Sequence, residues 1–186
     1  MTIFFKGIHP THALNQSNLS QNGLTAVNPG ATPSLDAMMA HVCYTTRTSP
    51  YLSLTKSFGV AEMYAFGGPV PPTQTSPGYV WEIDILASAG VKLIDPVQEV
   101  AAANSDPFAN ISYHHDGDMD FLLGIVDPSM LSGSPLKARV PPGQDGPGAP
   151  HATKQLRTMV HALRDAEILA VGIIPQSCFR LRHVVW

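Results

Sequence analysis

The clearest hydrophobic pattern in the chain is a strict alternation between residues 79 and 85. The apolar positions are Tyr79, Trp81, Ile83 and Ile85, and the acidic positions between them are Glu82 and Asp84. Successive side chains of a strand point to opposite faces, so this pattern predicts a half-buried β-strand. Shorter β-rich or apolar runs predict further strands over 2–5, 51–55, 91–94, 121–126, 168–174 and 179–185.

Helices are predicted where a capping residue precedes an apolar repeat. Ser57 caps a helix that Gly67 ends, Asp95 opens one through about Ala103, and Thr153 caps the strongest one, from Lys154 to about Glu167. A polar helix is expected from Pro10 to Asn22, and 25–40 are expected to be turns around a short apolar stretch. Strands therefore outnumber helices, and the pattern predicts an α+β domain.

Size and composition narrow this prediction to one folded unit. The 186 residues are enough for a single domain over 1–186, and 129–152, rich in Pro and Gly, are predicted to form a surface loop within it. Hydrophobic residues make up 44% and charged residues 13%, which excludes intrinsic disorder. The net charge of -3 gives no strong case for non-specific nucleic-acid binding.

The sequence also bears on where the protein works. No apolar run approaches the ~20 residues of a membrane span, and no secretory signal is recognised at the start. Cys43 and Cys178 are expected to be reduced, partly buried thiols. We therefore expect a protein without a membrane anchor that works in the cytoplasm or is delivered into a target cell.

Three segments combine residue types that carry chemistry. Lys6 stands between a short strand and Gly7, and hydroxyls run from Ser49 to Ser57 across a strand and into a helix. The segment 114–120, His-His-Asp-Gly-Asp-Met-Asp, places five ionisable groups directly before an apolar run. Clusters of this last kind are where perturbed pKa values concentrate.

In this order, the three segments resemble the NAD-dependent ADP-ribosyltransferases of the Arg–Ser–Glu class, which includes cholera-toxin-like and pierisin-like enzymes. Members look like a strand with Tyr-Arg-Gly, a Ser-Thr strand followed by a helix ending Tyr-Ala, and an acid-x-Glu that opens a strand. The counterparts are Phe5-Lys6-Gly7, Tyr51–Thr55 with its helix ending Tyr64-Ala65, and Asp116-Gly117-Asp118. Lys6 and Asp118 stand where the family has Arg and Glu.

The resemblance implies a split antiparallel β-sandwich that holds NAD in a groove. Lys6, with Gly7, would hold the cofactor phosphates, although a lysine offers a point charge and not the bidentate fork of arginine. Ser53 would hold the catalytic carboxylate and the nicotinamide ribose, and Thr55 would support its strand. Tyr51 or Tyr64 would stack on nicotinamide.

The acid is assigned by the same resemblance. Asp118 would stabilise the oxocarbenium ion as nicotinamide leaves, and Asp116, two residues earlier, would influence the acceptor. Asp120 and His115 are rivals for the catalytic role. The implied reaction moves ADP-ribose from NAD to a protein side chain or nucleic-acid base, as in a toxin or effector, with an antitoxin or immunity protein as a possible partner.

Two other functions stay open from the sequence. A catalytically weakened form of the same fold would act as a binding module. Alternatively, the cluster of His114, His115, Asp116, Asp118 and Asp120 would bind a metal in a hydrolase, with distant help from His41, His151 or His161.

Overall fold

A computed structural model describes residues 3–15, 17–44, 48–85, 89–104 and 151–186. The strands are β1 (Ile3–Ile8), β2 (Leu24–Thr25), β3 (Tyr51–Thr55), β4 (Gly78–Asp84), β5 (Leu93–Ile94), β6 (Glu167–Val171), β7 (Ile173–Ile174) and β8 (Phe179–Val185). The helices are α1 (Leu19–Asn22), α2 (Leu35–Cys43), α3 (Phe58–Phe66), α4 (Pro96–Asn104) and α5 (His151–Arg164), and Gln176–Cys178 form a 3₁₀ turn.

The strands form one large and one small sheet. The large sheet has six strands in the order β5-β6-β3-β1-β4-β8, and every neighbouring pair is antiparallel. The small sheet pairs β2 with β7. The α+β class predicted from the sequence is confirmed.

The two faces of the large sheet are covered differently. One face carries the main core, which includes Phe4, Ile8, Leu54, Trp81 and Ile168. On the other face, two separate groups of side chains are buried. At one end Met38 and Met39 of α2 pack with Tyr51 and Leu169, and elsewhere Ala61 and Ala65 of α3 pack with Val80. Ser53, Thr55 and Glu167 belong to this second face, because they alternate with core residues of β3 and β6.

The first strand extends further than the sequence indicated. The prediction that Lys6-Gly7 ends it is wrong, because Lys6 pairs with Trp81 and Gly7 with Val80. Gly7 is required for close packing: a Cβ at this position would lie 1.9 Å from the backbone oxygen of Ala61. Gly7, which was predicted to end the strand, is the position at which α3 packs against the sheet.

Near the N-terminus, one predicted helix is much shorter than expected, and one helix lies where turns were expected. The expected helix from Pro10 to Asn22 is a series of turns followed by the four residues of α1, because side chains such as Asn15 bond elsewhere, here to the Pro77 carbonyl. Within 25–40, where turns were expected, α2 begins at Leu35. The Ser34 hydroxyl caps it by accepting from the Ala37 N–H.

Other elements agree with the predictions, with shifted ends. Ser57 and Asp95 cap α3 and α4 as expected. Helix α5 begins at His151, two residues before the predicted cap at Thr153. The predicted strand 168–174 is divided between the two sheets at Gly172, whose φ of 79° turns the chain. The prediction that the strand over 79–85 is half-buried is wrong: β4 is covered on both faces, because Val80 and Asp84 are buried as well as Trp81 and Ile83.

Some predictions lie outside the described residues. These are the strand 121–126, the loop over 129–150, and the acidic segment 114–120. Among the helices that the structure describes, none combines the length and the apolar character needed to cross a lipid bilayer.

Candidate functional site

The site is centred where β1 and β3 meet. The two strands share a single paired position, Phe5 with Thr55, so Ser53 does not continue that ladder. Instead, the Lys6 ammonium donates to the Ser53 carbonyl oxygen at 3.1 Å. An ammonium has three N–H donors, so this bond fixes Lys6 beside Ser53 and leaves two donors for other groups.

The Ser53 hydroxyl lies between a histidine and a carboxylate. His41 of α2 places its Nε2 2.9 Å from Ser53 Oγ, and Glu167 of β6 lies close enough to the same side chain for Ser53 to oppose the rise in the pKa of its carboxyl. The donor in the bond between His41 Nε2 and Ser53 Oγ depends on which ring nitrogen of the histidine carries the proton. His41 and Glu167 therefore flank the Ser53 side chain.

Burial changes the ionisation of all three titratable neighbours. Desolvation and, to a smaller extent, the positive charge of Lys6 lower the pKa of His41 to about 4. Desolvation also lowers the pKa of Lys6 and raises that of Glu167, while the attraction between these two groups opposes both shifts. At neutral pH, His41 is therefore uncharged.

This geometry differs from a Ser–His–acid hydrolytic triad. In a triad the acid accepts from Nδ1 of the histidine, whereas here the carboxylate of Glu167 lies beside the serine. His41 Nδ1 is buried and has no hydrogen-bond partner among the described residues. A histidine with a pKa of about 4 is also a weak base, so the arrangement orients Ser53 and Glu167 and does not activate a nucleophile.

A second polar cluster, which we call the Arg164–Asp165–Tyr64 ring, stands directly before Glu167. Arg164 donates from Nε to Asp165 Oδ1 and from one terminal nitrogen to Oδ2, both at 2.6 Å. The Tyr64 hydroxyl donates to Oδ2 at 2.6 Å, and it lies 3.3 Å from the same Arg164 nitrogen. Asp165 is buried, so its charge is neutralised within the ring.

The turn between the ring and Glu167 is fixed by backbone contacts. Ala166 has a φ of 45°, an uncommon value for a residue with a side chain. Its carbonyl accepts from the Lys56 N–H, and the Asp165 carbonyl accepts from the Thr55 hydroxyl at 2.5 Å. These bonds attach the turn to β3 and place Glu167 opposite Thr55 in the sheet.

The residues predicted to contact the cofactor differ in their contacts and in their exposure. Lys6 and Ser53 come together as described, and Thr55 supports its strand through the Asp165 carbonyl. Tyr51 is 2% exposed and its hydroxyl bonds to Ser34, so of the two tyrosines Tyr64, 45% exposed, has a ring that is open to a ligand. Gly7 contacts α3 through its backbone.

The predicted acids cannot be compared with this site. Asp116, Asp118, Asp120 and His115 lie outside the described residues. Within the described part of the chain, no group of three or more His, Cys, Asp or Glu side chains is placed to hold a metal ion. Cys43 and Cys178 are free thiols, as expected.

Sequence reasoning missed Glu167, and it named His41 only as a distant metal ligand and not as a neighbour of Ser53. The signal for Glu167 was present: Asp165-Ala166-Glu167 has the acid-x-Glu spacing and opens a strand. It was overlooked because the predicted helix was extended to Glu167 and the strand was started at Ile168. For His41 there was no signal, since its contact with Ser53 depends on how α2 packs.

No protein-family model matches the chain, and a search of curated proteins finds no match.

The buried neutral His41 predicts a specific loss of stability in acid. The unfolded histidine takes up a proton near pH 6.5, whereas the folded one does so only near pH 4, so stability falls as the pH drops between these values. The shift corresponds to about 3 kcal/mol. Urea unfolding at pH 7 and pH 4 should show this extra loss in the wild type and not in His41→Gln, which keeps a donor but cannot titrate. Equal losses in the two proteins would contradict it.

Proposed function

We propose that the protein is an ADP-ribosyltransferase that moves ADP-ribose from NAD to a macromolecular acceptor and releases nicotinamide. The observation that carries the proposal is the convergence on Ser53 of Lys6 from β1, Glu167 from β6 and His41 from α2. A cation, a serine and a glutamate on neighbouring antiparallel strands match the three signature residue positions of the family that the sequence resembles.

The proposed assignment of the acid differs from the one made on sequence spacing alone. Glu167 has the side chain that the family uses, whereas Asp118 is one methylene shorter. With Glu167 in this role, only Lys6 departs from the three signature residues. This weakens the alternative of a decayed fold that only binds, because that alternative depended on two substitutions.

The proposed roles follow from the contacts. The C1′–N bond to nicotinamide breaks and its electron pair leaves with nicotinamide, so positive charge develops on the ribose. The Glu167 carboxylate, held by Ser53, stabilises that charge. Lys6 keeps two N–H donors for the phosphates or ribose of NAD, and Tyr64 offers an exposed ring for stacking. The splayed β1–β3 pair is consistent with a split β-sandwich that opens at this position.

The biological setting is part of the proposal. A chain of this kind would act in the cytoplasm of its own or a target cell as a toxin or effector, with an immunity protein as a partner. Within the described residues, no observation favours the metal-dependent hydrolase.

Nicotinamide release and thermal unfolding with NAD test the proposal. NAD at a hundredfold excess over its dissociation constant should stabilise the wild type by about 2.7 kcal/mol. Lys6→Ala should need more NAD for the same effect, since it loses the cation and the bond to Ser53, and Lys6→Arg should match or exceed the wild type because its fork can bond two phosphate oxygens.

Two results would count against the proposed function. If millimolar NAD neither shifts the unfolding curve nor yields nicotinamide, the substrate is wrong. If NAD stabilises the protein but nicotinamide never appears, the binding-module alternative is favoured.

A further inference from the structure

The Arg164–Asp165–Tyr64 ring bears on the acceptor, provided that the proposed function holds. We infer that this ring makes the acceptor an uncharged nucleophile, such as a hydroxyl or a neutral ring or amide nitrogen, and not a guanidinium or ammonium group. The inference depends on what the Asp165 carboxylate is already bonded to.

The ring lies beside Glu167, and Asp165 stands at the position that influences the acceptor in the family that the sequence resembles. Asp165 is two residues before Glu167, and among the described residues it is the carboxylate whose charge acts on Glu167. Tyr64, on the outer side of the ring, is 45% exposed, and Met63 and Phe66 of the same helix are exposed as well. The exposed side chains next to Tyr64 in α3 are therefore the apolar Met63 and Phe66 and the carboxylate Glu62.

Asp165 has little capacity left to bind a cation. Its two oxygens accept three hydrogen bonds of 2.6 Å, two from Arg164 and one from Tyr64. The Arg164 charge cancels the charge of Asp165, and the side chain of Asp165 is 10% exposed. An incoming guanidinium would find Arg164, a like charge, already in the position that it would need.

The hydrogen bonds that Asp165 already makes affect the two kinds of acceptor differently, because they attack in different ways. A guanidinium has no available lone pair until it loses a proton, so it needs a base before the C1′–N bond to acceptor can form. A hydroxyl attacks the oxocarbenium carbon with its own lone pair, and the resulting oxonium passes its proton to Glu167 or to water. Because Arg164 already pairs with Asp165, this carboxylate is not available to deprotonate a guanidinium. Attack by a hydroxyl does not need it.

Competition between two small acceptors tests the inference. With NAD, agmatine supplies a guanidinium and methanol a hydroxyl, and mass spectrometry separates ADP-ribosyl-agmatine, O-methyl-ADP-ribose and free ADP-ribose. We expect the methyl product and free ADP-ribose from the wild type, with no agmatine product above a blank without protein. Preferential transfer to agmatine at equal concentrations would overturn the inference.

Variants of the ring provide a matched pair. Arg164→Leu frees the Asp165 carboxylate and should raise the agmatine product about tenfold or more relative to the methyl product, as expected for gaining one charge-assisted bond. Tyr64→Phe removes one hydrogen bond to Asp165 but keeps the Arg164 charge on it, so it should change that ratio much less than Arg164→Leu does. If folded Arg164→Leu and the wild type give the same ratio of agmatine product to methyl product, the inference is contradicted. If Arg164→Leu does not fold, the ratio measured for the wild type is the test.

The two proposals fail differently in this experiment. Absence of nicotinamide release removes the proposed function and the inference with it. Nicotinamide release accompanied by transfer to agmatine leaves the proposed function intact and overturns the acceptor class alone.

Discussion

Glu167→Gln is expected to reduce the rate of nicotinamide release by about 10²–10³-fold. The substitution keeps the size of the side chain and an oxygen that can accept from Ser53, but it removes the negative charge that would stabilise the oxocarbenium ion. Because that charge acts mainly in the transition state, NAD affinity should change only a few-fold. Initial rates of nicotinamide release and NAD titrations on the same preparations measure both quantities.

Asp118→Asn is the matched comparison, since it makes the same acid-to-amide change at the position that sequence spacing indicated. We expect this variant to retain most of the activity if Glu167 is the catalytic acid. The opposite outcome, an active Glu167→Gln and an inactive Asp118→Asn, would return the role to the 114–120 cluster. Thermal unfolding of both variants distinguishes a lost charge from a lost fold.

Gly7→Ala is expected to prevent folding or to destabilise the protein by more than about 3 kcal/mol. The added Cβ would lie 1.9 Å from the Ala61 carbonyl oxygen and 3.0 Å from the Ala65 backbone nitrogen. Both are backbone atoms of α3, so no side chain can rotate away to make room. Helix α3 would have to move off β1 and β4, which would expose the buried Val80.

Gly30→Ala provides the control. No atom of the described residues lies within 4 Å of a Cβ at Gly30, and its φ is not in the left-handed region. Adding a methyl group there should be neutral or slightly stabilising, because alanine restricts the unfolded chain. Urea unfolding of the two variants measures the difference, and similar stabilities for both would show that α3 does not pack on Gly7 as described.

The parts of the fold that the sequence predicted are those fixed by neighbouring residues. Strand β3 and the cap of α3 follow from hydroxyls and apolar residues within about ten positions, and both were predicted with correct starts. Helix α2 was not predicted, because its apolar residues face Tyr51 and Leu169, and that burial depends on strands far away in the chain. The end of β1 was predicted too early because the sequence alone does not distinguish a glycine that packs against a helix from one that ends a strand.

For the site, too, the residues in short motifs were predictable, and those brought together by distant packing were not. Lys6 and Ser53 could be singled out because each stands in a short motif, yet their bond joins positions 47 residues apart and required the sheet order. His41 and Glu167 approach Ser53 from a helix and a strand on either side of it. Only the packing of α2 and the register of β6 show that these two residues share one hydroxyl.

The adjacency of Lys6 and Gly7 limits how this protein can change over evolutionary time. The two residues point to opposite faces of β1, so one supplies a cation to Ser53 while the next lets a helix approach. An insertion or deletion of one residue within β1 would shift the order of the faces, and a side chain would enter the space that only glycine can fill. Substitutions in this strand can therefore accumulate one position at a time, whereas changes in its length would remove the packing and the chemistry together.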